Sequence, residues 1–391
     1  MNVKLQPGYK QTEVGVIPED WTVQSVGELC KVNQGLQIAI NNRLKIPSVN
    51  SKKYITIQYL NEGKEVEYID TYSSAVCCNQ NDILMTRTGN TGLVITNVEG
   101  VFHNNFFKIN YNKKRITKEY FINFLSLGYT QKQIMIKAGT STIPDLNHND
   151  FYSIYIAVPS ISEQTAIANT LSDADALIES LEQLIAKKRK IKQGAMQELL
   201  RPKEGWIVKR LGEICEIRMG RTPARLNSFF WGRGYKWLSI ADLQTKIVSD
   251  SKEEITELAA SEMQIIQKGT LLMSFKLSLG RLCFAGCDLF TNEAICSFNK
   301  LQINADFLYY VLGRTDFSLY GKQAVKGYTL NKESLKLIEI FCPSPTEQTA
   351  IAAILSDMDN EITALETKLT KARQIKQGMM HNLLTGRIRL I

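Results

Sequence analysis

Residues 159–200 read PSISEQTAIANTLSDADALIESLEQLIAKKRKIKQGAMQELL, and residues 343–384 read PSPTEQTAIAAILSDMDNEITALETKLTKARQIKQGMMHNLL. At a constant offset of 184, without a gap, 24 of the 42 positions are identical, so the chain contains an internal repeat. In the first copy Ile167, Leu171, Ala174, Ile178, Leu181 and Ile185 recur at steps of 4 and 3. Ile351, Leu355, Met358, Ile362, Leu365 and Leu369 do the same in the second. A seam alternating 3 and 4 is the coiled-coil pattern. Pro159 and Pro343, followed by Ser160 or by Ser344 and Thr346, mark where each helix begins. A helix of ~35 residues spans ~50 Å at 1.5 Å per residue. Packing the two seams on each other is the simplest way to bury both. Parallel and antiparallel pairing are both open on sequence, and twofold symmetry favours antiparallel.

Weaker echoes extend the repeat outward. Trp21, Gly27, Cys30 and Gly35 return as Trp206, Gly212, Cys215 and Gly220. NDILMTRTG (81–89) corresponds to KGTLLMSFKLSLG (268–280), and Phe102-x-Asn104 to Phe290-x-Asn292. The regions between helices are rich in β-branched and aromatic residues broken by Gly and Asn, as in YITIQYL, DILMTRTG, YKWLSI and TLLMSF. They read as short strands and turns. Shorter helices are expected at 118–137 and 305–322. The expected fold is α+β: two mixed α/β domains (1–158 and 204–341) separated by two long antiparallel coiled-coil helices in segments 159–203 and 342–391. The whole forms a pseudo-twofold tandem repeat.

Composition bounds the function. The 391 residues are 44% hydrophobic and 22% charged, which is globular rather than disordered. At about 150 residues per domain the length suggests two or three domains. No apolar run reaches the roughly 18 residues of a membrane span, and the polar start, Met1 to Lys10, does not read as a secretory signal. Eight cysteines without framework spacing suit a reduced, cytoplasmic protein.

The net charge of +8 divides with the repeat: residues 1–160 and 204–341 carry +3 each, and 161–203 and 342–391 carry +1 each. Residues 29–61 hold no acid but contain Lys31, Arg43, Lys45, Lys52 and Lys53. Residues 217–241 hold no acid but contain Arg218, Arg221, Arg225, Arg233 and Lys236, interleaved with Phe229, Phe230, Trp231, Tyr235 and Trp237. Both stretches follow the Trp–Gly–Cys echo, so one structural place is basic twice. Lys and Arg neutralise phosphates and Arg pairs with guanine edges, which is what a DNA-reading face requires. The plainer alternative is a solvated basic surface with the aromatics in the core. Candidate DNA contacts are Arg43, Lys45, Lys52, Lys53, Arg87 and Asn90 in the first half. Their counterparts in the second half are Arg221, Arg225, Arg233, Lys236, Lys276 and Arg281. The helices match closely, whereas loops such as RTGN (87–90) and FKLS (275–278) do not. A shared spacer with divergent readers is the pattern two different half-sites demand.

Reaction centres are missing from the sequence. It has no Walker A pattern, no Gly-rich dinucleotide loop and no Asn/Asp-Pro-Pro-aromatic tetrapeptide for methyl transfer to a base amine. His103, His148 and His381 have no metal spacing, and Cys283, Cys287 and Cys296 lack a fourth ligand at usual spacing. The run Lys187–Lys190 lies on the first long helix and reads as a solvated face, with contact to DNA backbone as the alternative. A DNA-reading layout without chemistry implies catalytic partners.

GVIPEDW (15–21), both EQTAIA segments (163–168 and 347–352), both IKQGxM segments (191–196 and 375–380) and the closing LLTGRIRL (383–390) resemble the specificity (S) subunit of type I restriction–modification enzymes. The resemblance covers nearly the whole chain in order. It implies two target recognition domains, each reading one half of a split, asymmetric double-stranded DNA site. It implies two docked methyltransferase (M) subunits and, in a full system, restriction (R) subunits. S-adenosylmethionine, ATP and Mg then belong to the partners, none being bound by this chain, and adenine methylation and ATP-dependent cleavage are activities of the assembly. Family contacts to DNA come from variable loops, so no residue is carried over. The seam residues Ile167, Leu171, Ile178, Leu181, Ile185, Ile351, Leu355, Ile362, Leu365 and Leu369 are the candidate helix-packing and subunit-docking positions. The competing reading is a coiled-coil adaptor whose globules bind proteins, which predicts no steep salt dependence of DNA binding.

If the helices set the distance between half-sites, inserting or deleting helical residues changes the unread spacer and leaves both half-sites intact. Methylome sequencing of helix-length variants checks this, and an unchanged spacer refutes it.

Overall fold

The two repeat segments form uninterrupted helices, Ile161–Leu199 and Pro345–Leu384, in a computed structural model that describes residues 6–60, 66–139, 142–276, 278–324 and 327–390. The described chain divides into two compact units, Met1–Glu182 with Lys368–Ile391, and Gln183–Thr367. Each unit therefore holds one globule, part of the helix that follows it and part of the other helix.

Ion pairs set the helix direction within each unit. In the second unit Arg189 meets Glu366 at 2.5 Å, Lys192 meets Asp359, and Lys203 meets Glu347 at 3.5 Å. In the first, Arg373 meets Glu182 at 2.6 Å and Lys376 meets Asp175 at 2.5 Å. As one partner's number rises the other's falls, so the segments run antiparallel in both units. Moreover Arg189–Glu366 and Arg373–Glu182 are the same pair displaced by the repeat, as are Lys192–Asp359 and Lys376–Asp175. One sequence makes both sides of each contact.

The seam residues divide by depth. Ile167 and Leu171 are fully buried in the first unit's core, beside Leu383 and Leu384 of the second helix. Ile351 and Leu355 do the same in the second unit's core. Leu181, Ile185 and Ile362 are buried, while Ile178, Leu365 and Leu369 are half-buried. The first turns of each helix thus serve the globule, and the later turns serve the helix pair. The EQTAIA motif explains the docking. Gln164 accepts the Thr117 amide at 2.8 Å and donates to Arg115 O and Pro159 O, both at 3.0 Å. Gln348 accepts the Asn304 amide at 3.0 Å and donates to Pro343 O at 2.9 Å. A buried amide with both ends satisfied pins each helix to the short helix of its globule.

The globules share a plan. An antiparallel pair ties entry to exit: Thr22–Ser25 with Tyr155–Val158, and Ile207–Arg210 with Glu339–Cys342. An antiparallel sheet follows in the order Cys30–Gln34, Phe106–Tyr111, Ile83–Thr86, Val94–Ile95. Its counterpart runs Glu216–Met219, Ile295–Asn299, Leu271–Ser274, Leu282–Ala285, with Ile247–Val248 added at the edge. A second sheet, with Lys52–Ile55 beside Gly100–Phe102 and Trp231–Leu238 beside Leu289–Thr291, supports the loops described below. The expected helix at 118–137 is two, Lys118–Ser126 and Gly128–Ala138, because Leu127 is extended (ψ 133°) and caps the second. The helix expected at 305–322 ends at Leu312, and a 3-10 turn capped by Asp316 follows.

The chain's tail closes the first unit. Arg389 forks onto Asp20 (2.8 and 2.9 Å) and onto Glu163 (2.7 and 2.8 Å). The Trp21 indole N–H donates to the same Glu163 at 3.0 Å, and Glu163 is 3% exposed. GVIPEDW, the first EQTAIA and LLTGRIRL are therefore one contact. Removing one partner of a buried pair strands the other charge, so Arg389→Ala should cost about 3 kcal/mol in urea unfolding of the full chain. The hydrogen bond from Arg389 holds the Asp20 carboxyl below its ordinary value. A depressed folded-state pKa stabilises above the unfolded value of about 3.9 and loses that stabilisation as pH falls through the folded value. The acid limb of the stability profile should flatten in Arg389→Ala.

Candidate nucleic-acid interface

Gly35 and Gly220 lie within the acid-free stretches, and the two places are built alike. The Gly35 amide donates to Phe106 O at 3.2 Å and the Leu36 amide to Phe102 O at 3.0 Å. The Gly220 amide donates to Ile295 O at 3.0 Å and the Arg221 amide to Thr291 O at 2.8 Å. A Cβ on Gly35 would lie 2.2 Å from the carbonyl oxygens of Phe102 and His103, and one on Gly220 2.2 Å from Asn292 O. Only glycine lets the chain pass so close to backbone. The turn that follows is closed by a side-chain acceptor: His103 Nδ1 takes the Asn105 amide, and Asn292 Oδ1 takes the Ala294 amide, both at 3.1 Å. These bonds equate His103 with Asn292, so the Phe102-x-Asn104 echo of Phe290-x-Asn292 is one residue out of register. The function of the position is to accept an amide, which imidazole and carboxamide both do, and residue identity conceals it.

The second variable loop is also duplicated in geometry. Thr86 Oγ1 donates to Asn90 O and accepts the Leu93 amide at 2.9 Å. Ser274 Oγ donates to Ser278 O and accepts the Arg281 amide at 3.0 Å. A hydroxyl at the strand end closes each loop, so RTGN and FKLS differ in side chains while sharing a frame. Leu277 lies outside the described residues.

The basic loops are held by a matching three-residue clamp. In the first unit the Tyr54 hydroxyl donates to Leu36 O at 2.7 Å, the Arg43 guanidinium lies 5.1 Å from that ring, and Arg43 pairs with Glu67 at 2.9 Å. In the second the Trp237 indole N–H donates to Arg221 O at 3.0 Å. Arg225 lies 4.8 Å from that ring and 3.9 Å from Trp231, and it forks onto Glu253 at 2.6 and 3.0 Å. Tyr54 is bonded to Glu67 across its strand pair, and Trp237 stands opposite Glu253. The clamps are therefore equivalent residue for residue.

This revises the candidate list. Arg43, with two further bonds to Ile38 O at 3.0 and 2.8 Å, and Arg225 hold the loops in place. Arg87 pairs with Asp145 at 2.7 Å and is 15% exposed, and Lys236 bridges Asp250 and Glu254 at 2.7 and 2.6 Å. Stretches without acids in sequence are thus supplied with acids from neighbouring strands. Lys52 covers the Tyr72 ring at 5.8 Å, and Lys45 lines a cavity of about 230 Å³ beside Arg43, Tyr54 and Glu67. Asn90 is exposed at its loop tip. Lys53, Arg221, Arg233, Lys276 and Arg281 pair with no carboxylate among the described residues, and all but Lys276 are exposed. Lys188, within the basic helical run, pairs with Glu361 at 2.6 Å. Phe230, Trp231, Tyr235 and Trp237 form an apolar cluster, as the plainer alternative held, whereas Phe229 is 75% exposed. Cys283 and Cys296 lie in core strands, and burial pushes the Cys283 thiol up to about 12.

Known proteins agree with this architecture. The family model described as "type I restriction modification DNA specificity domain" matches residues 18–189 and again 203–376. The chain is 25% identical to the type I restriction enzyme MjaVIII specificity subunit of Methanocaldococcus jannaschii, covering 100% of this chain and 98% of the relative. It is likewise 25% identical to a putative MjaX specificity subunit of the same organism, covering 98% of this chain and 97% of that one. The crystal structure of a type I restriction–modification S subunit from M. genitalium superposes with a TM-score of 0.60 at 17% identity, covering 98% of both chains.

A methyl group at Gly35 or Gly220 would press on backbone that cannot step aside. Gly35→Ala and Gly220→Ala should each cost about 1–3 kcal/mol, the range of overpacking, in denaturant unfolding. Gly194→Ala, on the first long helix with nothing near its Cβ position, should cost nothing.

Proposed function

Because this chain belongs to the type I restriction modification DNA specificity domain family, we propose that it is the non-catalytic subunit that reads a split, asymmetric DNA site. On this reading each globule reads one half-site, and the helical segments carry two M subunits and, in a full system, R subunits. S-adenosylmethionine, ATP and Mg belong to those partners. The observation that carries the reading is the pairing of one hydrogen-bonded frame with two unlike sets of loop side chains. Loops closed by Thr86 and Ser274, and loops clamped by Arg43–Glu67 and Arg225–Glu253, are held rigid while their tips are free to differ. That is how a scaffold reads two different base sequences from equivalent positions.

Lys53, Arg221, Arg233 and Arg281 are the side chains we assign to phosphate, since they are exposed and form no ion pair among the described residues. Asn90 and the 275–281 loop, with Lys276, are assigned to base edges. No helix among the described residues is long and apolar enough to cross a membrane.

Co-expression with the M subunit followed by methylome sequencing tests the reading. The expected result is a two-part motif with modified adenine on both strands, and a contiguous motif or none refutes it. Alanine at Lys53, Arg221, Arg233 or Arg281 should weaken binding to all sequences alike and lower the salt slope by about one each. Exchange of the 87–90 loop should change one half of the motif and leave the other.

A further inference from the structure

We infer that each clamped loop carries an apolar wedge that enters the DNA and opens a base step in its half-site; this rests on the DNA-reading function proposed above. Beyond the clamping arginine, each loop makes a short excursion before returning to the clamping aromatic, Tyr54 or Trp237. On the first excursion Ile46 is 80% exposed and Val49 101% exposed. On the second Leu226 is 102% exposed and Phe229 75% exposed. The two members of each pair are three residues apart, and each pair follows its clamping arginine within six residues. In both domains, then, a pair of large apolar side chains at least three-quarters exposed follows the clamping arginine, and the core they leave does not explain them.

The excursions are ordered rather than loose. Val49 caps a turn in which the Ser51 amide bonds Ser48 O at 3.1 Å, Ser51 Oγ accepts the Ser48 amide at 2.8 Å, and the Tyr72 hydroxyl holds Asn50 O at 3.0 Å. Leu226 sits in a turn closed by the Asn227 amide on Ala224 O at 3.1 Å, whose oxygen also accepts the Trp231 indole N–H at 3.2 Å. Phe229 is fixed at both ends, its amide on Asn227 Oδ1 at 3.1 Å and its carbonyl on Thr256 Oγ1 at 2.7 Å. A preformed apolar tip loses little entropy on insertion.

The surroundings select DNA as occupant. Glu67, Glu253 and Glu254 are taken up by Arg43, Arg225 and Lys236, while Lys53, Arg221 and Arg233, on the same stretches and exposed, form no ion pair among the described residues. Cations beside a protruding apolar tip are the components of proteins that hold phosphates while wedging Phe, Leu, Ile or Met between bases. The clamp then has a reason: Arg225, stacked on two indoles and forked onto Glu253, braces the base of the tip against the stacking force.

The test uses the full chain assembled with its M subunit and a duplex carrying the methylome-defined motif, with 2-aminopurine placed in turn through each half-site. The wild-type complex should raise fluorescence at one step in each half. Leu226→Ser with Phe229→Ser should abolish the rise in one half-site only and weaken specific binding five- to tenfold. Ile46→Ser with Val49→Ser should do the same in the other half-site, and Phe229→Trp should retain the signal. All four side chains are exposed, so unchanged melting temperatures show that folding is intact. Variants that bind and fluoresce like wild type overturn the wedge, as does loss of M-subunit co-purification with DNA binding otherwise unaltered, which would make the tips a protein contact. If the wild-type complex shows no sequence preference at all, the DNA-reading function itself fails, an outcome distinct from any shown by the variants.

Discussion

Lys192 on Asp359 and Lys376 on Asp175 are a single contact that the chain makes twice. When one helical sequence pairs antiparallel with its own copy, each residue must serve as donor in one unit and leave its repeat partner to serve in the other. The face of the helix is therefore constrained from both sides, which is why 24 of 42 positions survive there while the loops have drifted apart. The first turns are constrained further, because Gln164 and Gln348 must satisfy the globule's backbone as well.

Drift in the globules is confined in the same manner. Positions that approach backbone or close a turn retain their chemistry, whereas the side chains of the loops they close, RTGN against FKLS, differ. Gly35 and Gly220 remain glycine because a Cβ would meet a carbonyl oxygen. Thr86 and Ser274 remain hydroxyls because each both donates and accepts. The clamp tolerates Tyr for Trp, since either ring offers a polar hydrogen to the loop carbonyl and a π face to the arginine. Loop variation is thereby separated from stability, which on the proposed function lets one frame serve different DNA sequences.

The repeat, the helices and the two-globule plan were legible because they rest on periodicity and identity along the chain. The buried ends of the seam, Ile167 with Leu171 and Ile351 with Leu355, were legible as apolar but not as core of the globules, since a heptad does not say what covers it. The candidate contacts were less legible for a specific reason. Charge was counted within a stretch, whereas Glu67, Glu253, Glu254 and Asp250 reach Arg43, Arg225 and Lys236 across strand pairs. Local absence of acid is a statement about sequence, and neutralisation is a statement about space. His103 and Asn292 were invisible as a pair because hydrogen-bond acceptance, not residue type, is what repeats.

Each ion pair sets aside one cation and one carboxylate, so the net +8 is untouched by pairing and falls on side chains other than Arg43 and Arg225. On the DNA-reading function proposed above, the unpaired exposed cations hold phosphates and set orientation, but phosphate is the same at every step and cannot tell one half-site from another. Discrimination must come from whatever projects beyond the cations. In each unit that is a loop closed by a hydroxyl and an excursion braced by an arginine on an aromatic ring. On that same reading Arg43 and Arg225, each paired with a carboxylate and set over an aromatic ring, serve as braces, because a side chain that distinguishes bases has to be held still by something that does not.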